Sequence, residues 1–272
     1  MFTYINPDVR KRLVARGKLV RINRSGEKIS ADAPPPDGEL AINILGPIPL
    51  PISLDDIEMQ VQWYATVRSS ELAQVESLAR SLSEQGRQTA FAELASALAV
   101  NSVLVVGDIT QMKSPLVRVH SSCLTGDVFG SQRCECGPQF VSALKKIHDS
   151  DQGGMLIYMS GHEGRGIGLW AKAATYLLQD DGEDTYQANE SLGLPADSRD
   201  FSDAAALLKY FAPNKPIRLL TNNPKKITDL QKLGIAEIEA EKHVIGVGDW
   251  NRRYLAAKKD WGHQLDLEDL QK

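Results

Sequence analysis

The residues of this chain with the clearest chemistry are its three cysteines, which all lie within one fourteen-residue segment. Cys123 comes first, and Cys134 and Cys136 follow with one glutamate between them. Thiols that serve as small core residues are scattered along a chain, so this clustering indicates a metal site, and Zn²⁺ is the usual guest of thiolates. A structural zinc normally has four protein ligands, whereas a catalytic zinc has three and a water, so three cysteines favour catalysis.

Two other interpretations of the cysteine cluster stay open at the level of sequence. In one, the thiols are reduced and hold no metal, and in the other, His120 or His148 completes a closed tetrahedron. The apolar pattern predicts a strand at 116–120 and a helix at 138–149. We therefore expect the two closely spaced cysteines on a loop that enters the helix, facing the first cysteine at the strand end.

Composition indicates an ordinary soluble protein. The chain has 272 residues, of which 42% are apolar and 24% charged, enough to bury one large core or two smaller ones. Its longest apolar runs, such as 103–106, are too short to cross a bilayer, and its first residues lack the layout of a signal peptide. We expect a cytoplasmic, reducing location and no membrane partner. A net charge of −4 argues against a nucleic-acid partner.

Seven basic residues lie in the half of the chain that carries the cysteines, many of them beside glycines or polar turn residues. Any one of them alone is explained by ordinary surface charge. Their coincidence with predicted loops favours an anionic small-molecule ligand. These residues are Arg118, Arg133, Arg165, Lys172, Arg199, Lys225 and Lys226.

Residues 1–100 contain no recognisable chemistry, and we predict an α+β extension with a structural or oligomerising role. A helix is predicted at 8–15, strands at 42–45 and 59–67, and two amphipathic helices at 69–82 and 88–98. Prolines at 47, 49 and 51 exclude a central strand at that point.

Residues 101–272 show strands that alternate with helices, which predicts a mixed α/β (α+β) domain whose site lies in loops at strand ends. Strands are predicted at 103–107, 116–120, 155–159, 217–221 and 235–240, and helices at 138–149, 167–178, 201–211, 225–233 and 251–261. Three loops could hold an anion: the glycine-rich 160–169, the segment 220–226 that enters a helix, and 195–201, where two aspartates surround an arginine. The glycine-rich pattern is weak on its own, and the other two segments have a plainer explanation as capped helix starts.

Several of these segments together resemble GTP cyclohydrolase II, the zinc enzyme that opens the guanine ring of GTP at the start of riboflavin synthesis. The resemblance covers roughly residues 102–263, and its blocks occur in the family's order. They are RVHSSCLTGD at 118–127, RCECG at 133–137, EGRGIGL at 163–169, the segments 184–189, 197–201 and 219–226, and a C-terminal block with Tyr254, Lys258 and His263.

The resemblance implies a hydrolase in which Cys123, Cys134 and Cys136 hold Zn²⁺ and a zinc-bound water opens the base, with release of formate and pyrophosphate. It also implies Mg²⁺ on the nucleoside triphosphate and a homodimer. The implied catalytic residues are Asp197, Arg199, Tyr176 and Glu163. The implied substrate-binding residues are Arg118, Val119, His120, Ser121, Gln139, Glu163, Gly164, Arg165, Thr185, Thr221 and Lys226.

Some of these roles have alternatives. Glu163 either assists the zinc-bound water or merely positions the substrate, and Tyr176 either donates a proton during ring opening or is an aromatic on the buried face of its helix. The family mechanism makes Arg199 a nucleophile with Asp197 as its proton acceptor. Charge stabilisation of the phosphoryl group is the easier role for a guanidinium, since its pKa exceeds about 12.

The chain departs from the family pattern at the edge of the expected site. Ser122 stands where the family usually has glutamate, and Gly161-His162 stand where it usually has Arg-Gln. Because these changes could alter which base is held, a paralogue that opens another nucleotide such as UTP, as in uracil degradation, is the alternative substrate assignment. A non-catalytic, zinc-stabilised nucleotide-binding module is the second alternative, although such a module would not need Tyr176, Asp197 or Arg199.

Overall fold

The computed structural model describes residues 5–33, 38–55, 57–73 and 99–270. Within them, nine strands form one mixed sheet in the order β2-β1-β3-β4-β5-β7-β6-β8-β9. The strands are β1 Leu19–Asn23, β2 Lys28–Ile29, β3 Ala41–Leu54, β4 Ile57–Arg68, β5 Asn101–Val106, β6 Leu116–Ser121, β7 Gly154–Met159, β8 Ile217–Leu220 and β9 Ile238–Glu241.

Helices flank this sheet, and the fold class predicted from sequence is confirmed as mixed α/β. We number the helices with assigned bounds α1 Pro7–Ala15, α2 Leu124–Asp127, α3 Cys136–Asp149, α4 Leu169–Asp180, α5 Gln187–Ser191, α6 Ser202–Phe211, α7 Pro224–Lys232 and α8 Arg252–Asp260. Short 3₁₀ helices occupy Ser160–Gly166 and Glu268–Leu270. In the described part of the chain, no helix combines the length and apolar character needed to cross a membrane.

The direction of the strands determines where a site can form. Strands β6, β7, β8 and β9 are mutually parallel, and β5 and the strands before it are antiparallel to their neighbours. The carboxyl ends of β6, β7 and β8 therefore meet at one edge of the sheet. Each of these ends leads into one of the segments that sequence marked as chemically active, so the topology brings those segments together.

The two faces of the sheet carry separate apolar clusters, and β6 shows the alternation that produces them. Val117 and Val119 pack in the cluster that includes α6, whereas Leu116 packs in the cluster that includes Leu144 of α3. A strand buried on both faces is expected to be apolar throughout. Arg118 and His120 are exceptions in β6, because both are buried polar residues on the face that carries α3.

Most predicted elements of residues 101–272 are confirmed within a few residues, and the last strand shows why bounds shift. Sequence predicts that strand at 235–240, but β9 covers Ile238–Glu241. Gly234 has φ +93° and Ile235 donates its N–H to the Leu230 carbonyl, so Ile235 closes helix α7 and packs into the core before the strand starts.

Strand β3 is much longer than predicted, since it continues through the prolines to Leu54. Its pairing with β1 stops at Leu45, and beyond that point β3 pairs with β4 alone. The prolines therefore lie where β3 is an edge strand, and the prediction that they exclude a central strand is confirmed. The predicted strand ended too early, and β1 and β2 were not predicted.

The sheet continues across residue 100, because β4 pairs with β5. The division of the chain into an extension and a catalytic domain therefore remains a prediction. The predicted helix at 69–82 is described only over 69–73, where it is helical, and the one at 88–98 lies outside the described residues.

Candidate functional site

The three cysteines meet at the carboxyl end of β6. Cys123 precedes α2, Cys136 is the first residue of α3, and Cys134 lies in the turn just before it. Their sulfur atoms lie within 4.8 Å of one another, and the Cys123 and Cys134 sulfurs are 3.6 Å apart. Tetrahedral zinc with bonds of about 2.3 Å to sulfur requires sulfurs about 3.8 Å apart. The Cys123–Cys134 distance matches this spacing, and the cluster as a whole is compatible with such an ion.

Two glycines leave room for an ion among these sulfurs. A Cβ added to Gly126 would lie 3.0 Å from the Cys134 sulfur and 3.1 Å from the Cys123 sulfur. A Cβ on Gly137 would lie 2.4 Å from the Gly126 carbonyl oxygen. Only glycine lets α2 and α3 approach this closely without a side chain at the sulfurs. This steric requirement, together with the all-thiol donor set, fits zinc.

Histidine does not complete the cluster. His120 Nε2 lies 3.1 Å from both carboxylate oxygens of Asp127, and His148 is exposed on α3. Within the described ranges, the group of side chains able to hold a metal together contains Cys123, Cys134 and Cys136 alone. The described geometry therefore favours three cysteine ligands over a closed site with a histidine, and the open fourth position stays a prediction.

A lysine that sequence related only to an anionic ligand contacts the cluster. Lys172 Nζ lies 3.2 Å from the Cys123 sulfur and 2.5 Å from Glu163 Oε1. The other oxygen of Glu163 accepts from the Leu124 N–H at 2.7 Å. Hydrogen bonds from the Cys134 and Cys136 thiols, together with the ammonium of Lys172, lower the pKa of Cys123 and so favour its thiolate.

The glycine-rich segment places Glu163 by a sharp change of backbone direction. The 3₁₀ helix Ser160–Gly166 is interrupted at Glu163, and Gly164 and Arg165 have φ of 59° and 64°. A left-handed arginine costs about 1–3 kcal/mol and is retained where the surroundings fix it. Here it sets the guanidinium 3.9 Å from the centroid of the Tyr186 ring.

These elements enclose an open cavity of about 1080 Å³, its mouth included, with the sulfurs in its wall. Most of the predicted site residues line it, and seven of the described lining residues are cationic against two acidic ones. The predicted residues found there are Arg118, His120, Ser121, Cys123, Cys134, Cys136, Gln139, Glu163, Gly164, Arg165, Tyr176, Thr185, Arg199, Thr221 and Lys226.

Four of the seven cations have carboxylate partners. The pairs are Lys172 with Glu163, Lys258 with Glu135, Arg199 with Asp197, and Arg133 with Asp180.

Arg118, Arg165 and Lys226 are buried and have no carboxylate within salt-bridge distance among the described residues. Arg118 donates to the Leu220 carbonyl and to Gln139 Oε1, and Lys226 donates to the Val119 carbonyl at 2.8 Å. Burial, reinforced by nearby Arg118 and Arg199, holds the pKa of Lys226 well below its usual value. A bound polyanion would offset this charge, so the pocket is built for one.

Lys226 owes its position to the cap of α7. The Asn223 side chain accepts from the N–H groups of Lys225 and Lys226, and Pro224 occupies the first turn. The plainer explanation of a capped helix is thus correct for Asn223, and Lys225 is half-exposed and paired with Asp229. It fails for Lys226, which is 5% exposed and points into the pocket.

Arg199 and Asp197 form a bidentate pair. Arg199 Nε and Nη2 donate to the two carboxylate oxygens at 2.9 and 2.6 Å, and Nη1 lies 3.4 Å from Ser121 Oγ. Burial opposes ionisation of Asp197, but the hydrogen bonds and charge of Arg199 lower its pKa to about 2. Although burial opposes it as well, Asp197 raises the pKa of Arg199. The guanidinium is therefore firmly charged.

Tyr176 lies on the pocket side of α4. Its hydroxyl is 3.0 Å from Thr125 Oγ1, and the guanidinium of Arg133 lies 4.5 Å from its ring centroid. Burial raises the pKa of Tyr176, which keeps the phenol protonated and able to donate. The interpretation of Tyr176 as a purely buried-face aromatic is not what the structure shows.

Two predicted residues do not line the cavity. Val119 is fully buried in the apolar core and offers only its carbonyl, which binds Lys226. Asp197 acts through Arg199, as described above. Sequence named Lys172 only among the basic residues that favour an anionic ligand and did not indicate its contact with Glu163.

The two departures from the family pattern lie beside the pocket. Ser122 Oγ donates to the Ser160 carbonyl at 2.9 Å. His162 Nε2 lies 2.9 Å from the Asp200 carbonyl and its Nδ1 lies 3.2 Å from Ser121 Oγ. Burial lowers the pKa of His162 to about 4, so this imidazole is neutral at pH 7.

A second buried histidine predicts how stability depends on pH. Burial lowers the pKa of His243 to about 4, against about 6.5 in the unfolded chain. Between these pH values the unfolded state binds a proton that the folded state does not bind. The free energy of unfolding therefore falls as pH drops from about 6.5 to 4 and levels off below. This one group contributes up to about 3 kcal/mol of that loss.

Urea unfolding at several pH values measures this slope, and His243→Gln should reduce it; the rest comes from other histidines whose pKa burial lowers, His162 and His263 among them. His148→Gln, which removes an exposed histidine, should keep the wild-type slope. An unchanged slope in His243→Gln contradicts the assignment of a neutral, buried imidazole.

Comparison with known proteins agrees with this geometry. The sequence profile of the family described as GTP cyclohydrolase II matches residues 78–241, more than half of the chain. The riboflavin biosynthesis protein RibBA of Nocardia farcinica is 50% identical over 169 residues, which are 61% of this chain and 40% of that protein. GTP cyclohydrolase-2 of Aliivibrio salmonicida is 50% identical over 161 residues, 59% of this chain and 78% of that protein.

A third relative is the probable bifunctional riboflavin biosynthesis protein RIBA 2, chloroplastic, of Oryza sativa subsp. japonica, which is 45% identical over 169 residues. Those residues are 62% of this chain and 30% of the rice protein. The chain thus spans well under half the length of the RibBA and rice relatives. The match of the family profile and the long alignment with the Aliivibrio protein show that this chain belongs to the GTP cyclohydrolase II family.

Proposed function

We propose that this protein is a zinc-dependent hydrolase that opens the guanine ring of GTP and releases formate and pyrophosphate, the first step of riboflavin synthesis. One observation carries the proposal. An open cluster of three thiols lies in the wall of a pocket that also holds three buried cations without carboxylate partners. A nucleoside triphosphate fits both features, because its phosphates can bind the cations while its base reacts with a metal-activated water.

The three cations without carboxylate partners bind the phosphates in this proposal. Arg118, Arg165 and Lys226 lose little by contacting an anion, because none must first leave a carboxylate. Mg²⁺ would accompany the triphosphate and offset part of its negative charge. A homodimeric assembly and a cytoplasmic location are further proposals, supported by the family membership and the reduced cysteines.

Zinc, held by Cys123, Cys134 and Cys136, would lower the pKa of a bound water. It would also polarise the carbon that this water attacks. Three thiolates donate charge to the ion and weaken this effect. Lys172 counteracts that donation, because its ammonium hydrogen-bonds to the Cys123 sulfur and withdraws electron density from it. Both oxygens of Glu163 are already hydrogen-bonded, so we assign Glu163 to positioning Lys172 and the α2 backbone.

Tyr176 donates its phenolic proton to the nitrogen that is freed as the ring opens. Its hydroxyl lies in the pocket, and Thr125 fixes the direction of the phenol oxygen. Proton donation from a positioned group is worth about 10²–10⁴-fold in rate.

Arg199 stabilises the charge of the phosphoryl group that is transferred when pyrophosphate leaves. The pairing with Asp197 raises the pKa of the guanidinium, which makes it a poor nucleophile and a good electrostatic partner. Asp197 orients the fork of Arg199 through two parallel hydrogen bonds.

An assay of all four nucleoside triphosphates tests the proposal. The zinc-loaded protein with Mg²⁺ is incubated with each one, and the products are identified by mass. We expect formate, pyrophosphate and a ring-opened pyrimidine from GTP only. Ring opening of UTP instead would show that the assigned substrate is wrong, while the proposed zinc-dependent ring opening would still hold. Binding of nucleotide without any product would support a non-catalytic binding module and reject the enzyme.

A further inference from the structure

The loop that carries Arg199 is contacted by a residue of the N-terminal part that does not line the pocket. Arg68, the last residue of β4, donates from Nη2 to Asp200 at 2.8 Å and from Nε to Asp203 at 2.7 Å. These contacts join residues more than 130 positions apart in sequence. Among the described residues, these two ion pairs link β4 to the segment from Asp197 to α6.

Asp200 connects this contact to the site, because it follows Arg199 directly. Its carboxylate also accepts from the N–H and hydroxyl of Ser202, and its carbonyl lies 2.9 Å from His162 Nε2. Burial opposes ionisation of Asp200, but hydrogen bonds from Ser202 and Arg68 lower its pKa to about 2. The carboxylate thus stays charged at neutral pH and keeps its hold on Arg68.

A second route leads through His162. Its Nδ1 lies 3.2 Å from Ser121 Oγ, and that hydroxyl lies 3.4 Å from Arg199 Nη1. Movement of the Asp200 backbone would therefore shift the imidazole, the serine hydroxyl and the guanidinium together.

Asp203 makes the contact costly to lose. Its side chain is 8% exposed in the first turn of α6, and it accepts from Asn101 Nδ2 at 3.2 Å besides Arg68. Without the guanidinium, a buried carboxylate would lack its cation, which strongly destabilises a fold. The Asp203 contact explains stability, and the Asp200 contact explains placement of the loop.

We propose that Arg68 is a positioning residue that holds Arg199 in register for phosphoryl transfer, so that the N-terminal part of the chain contributes to the active site. The inference rests on the role proposed above for Arg199. A displacement of a reacting group by about 1 Å can cost about 10²-fold in rate. The contacts of Arg68 with Asp200 and Asp203 therefore affect the rate of pyrophosphate release and not metal binding.

Asp200→Asn isolates the positioning role. Asparagine keeps an oxygen that accepts from the Ser202 N–H but lacks the negative charge that pairs with Arg68. The ion pair between Arg68 and Asp203 stays intact. We expect pyrophosphate release to fall about tenfold in kcat, with a smaller change in KM for GTP, full zinc content and a nearly unchanged Tm. Arg68→Gln should show the same loss of kcat with a lower Tm, and Arg68→Lys should recover part of the rate.

Arg10→Gln is the matched control, because Arg10 pairs with Asp32 within the N-terminal part. It should keep the wild-type rate. The double variant Arg68→Gln/Asp203→Asn removes both buried charges and should regain Tm without regaining kcat. Wild-type kcat in Asp200→Asn, or a rate that recovers with Tm in the double variant, overturns the proposal.

A readout independent of turnover separates this proposal from the proposed function. The Nε–H resonance of Arg199 in ¹⁵N NMR spectra, identified by its loss in Arg199→Lys, reports the geometry of the guanidinium. It should move in Asp200→Asn and stay in place in Arg10→Gln. If no nucleoside triphosphate is turned over, the proposed function fails, and this resonance still decides whether Arg68 positions Arg199.

Discussion

Replacing Cys134 by serine should strip the metal and abolish ring opening. Serine offers a hard oxygen of much higher pKa in place of one of three soft sulfur ligands, and two thiolates alone hold zinc poorly. Metal analysis of the purified variant should find far less than one zinc per chain, against one in the wild type. Formate release should fall by at least about 10³-fold, because the ion supplies several kcal/mol of the catalysis.

The same loss should follow from two changes that leave all three sulfurs in place. Chelation of zinc from the wild-type protein should stop formate release, and added zinc should restore it. Gly126→Ala places a methyl group about 3 Å from two sulfurs and should reduce zinc content, although it removes no ligand. Full zinc content in Cys134→Ser would show that the cluster is not the metal site.

Sequence was sufficient to predict the cluster because the signal is local. The three cysteines lie between a strand and a helix whose apolar periods are clear, and the short segments between them leave few arrangements. The structure confirms that strand and helix as β6 and α3 and brings the sulfurs within 4.8 Å. The open fourth position was favoured by ligand count alone, and the pairing of His120 with Asp127 now supports it.

Contacts between distant parts of the chain could not be predicted. Nothing in the residues around Arg68 indicates that it would meet Asp200 and Asp203, since that contact depends on the order of strands in the sheet. Strand β1 was missed for a related reason, because a five-residue strand is recognised mainly by its partner.

The kink at Glu163 was hidden for a different reason. Left-handed backbone is expected of glycine, and the glycines at 164, 166 and 168 are typical of a simple phosphate-binding loop. Arg165 adopts the same region with φ 64°, which no residue preference indicates. That turn brings Glu163 to Lys172, so the contact between Lys172 and Cys123 became visible only with the backbone.

Replacing Arg199 by alanine should separate the two half-reactions of the proposed mechanism. Pyrophosphate release should fall about 10²–10³-fold, the usual cost of removing a group that stabilises developing charge. Cys123→Ser should do the opposite, because loss of the zinc ligand stops formate release while phosphoryl transfer does not need the zinc-bound water. Formate and pyrophosphate are measured in parallel from the same GTP reactions, together with the zinc content of each variant.

Arg199→Lys decides between an electrostatic and a nucleophilic role for Arg199. Lysine keeps the positive charge but cannot make the two parallel hydrogen bonds to Asp197, so an electrostatic role predicts a rate between those of the wild type and alanine. A phosphorylated enzyme trapped in the wild type would instead show that Arg199 or a neighbour forms a covalent bond. Loss of formate alone in Arg199→Ala, with pyrophosphate release intact, would mean that the charged pair serves ring opening. The bidentate geometry at 2.9 and 2.6 Å, which keeps the guanidinium charged, makes the intermediate rate the expected result.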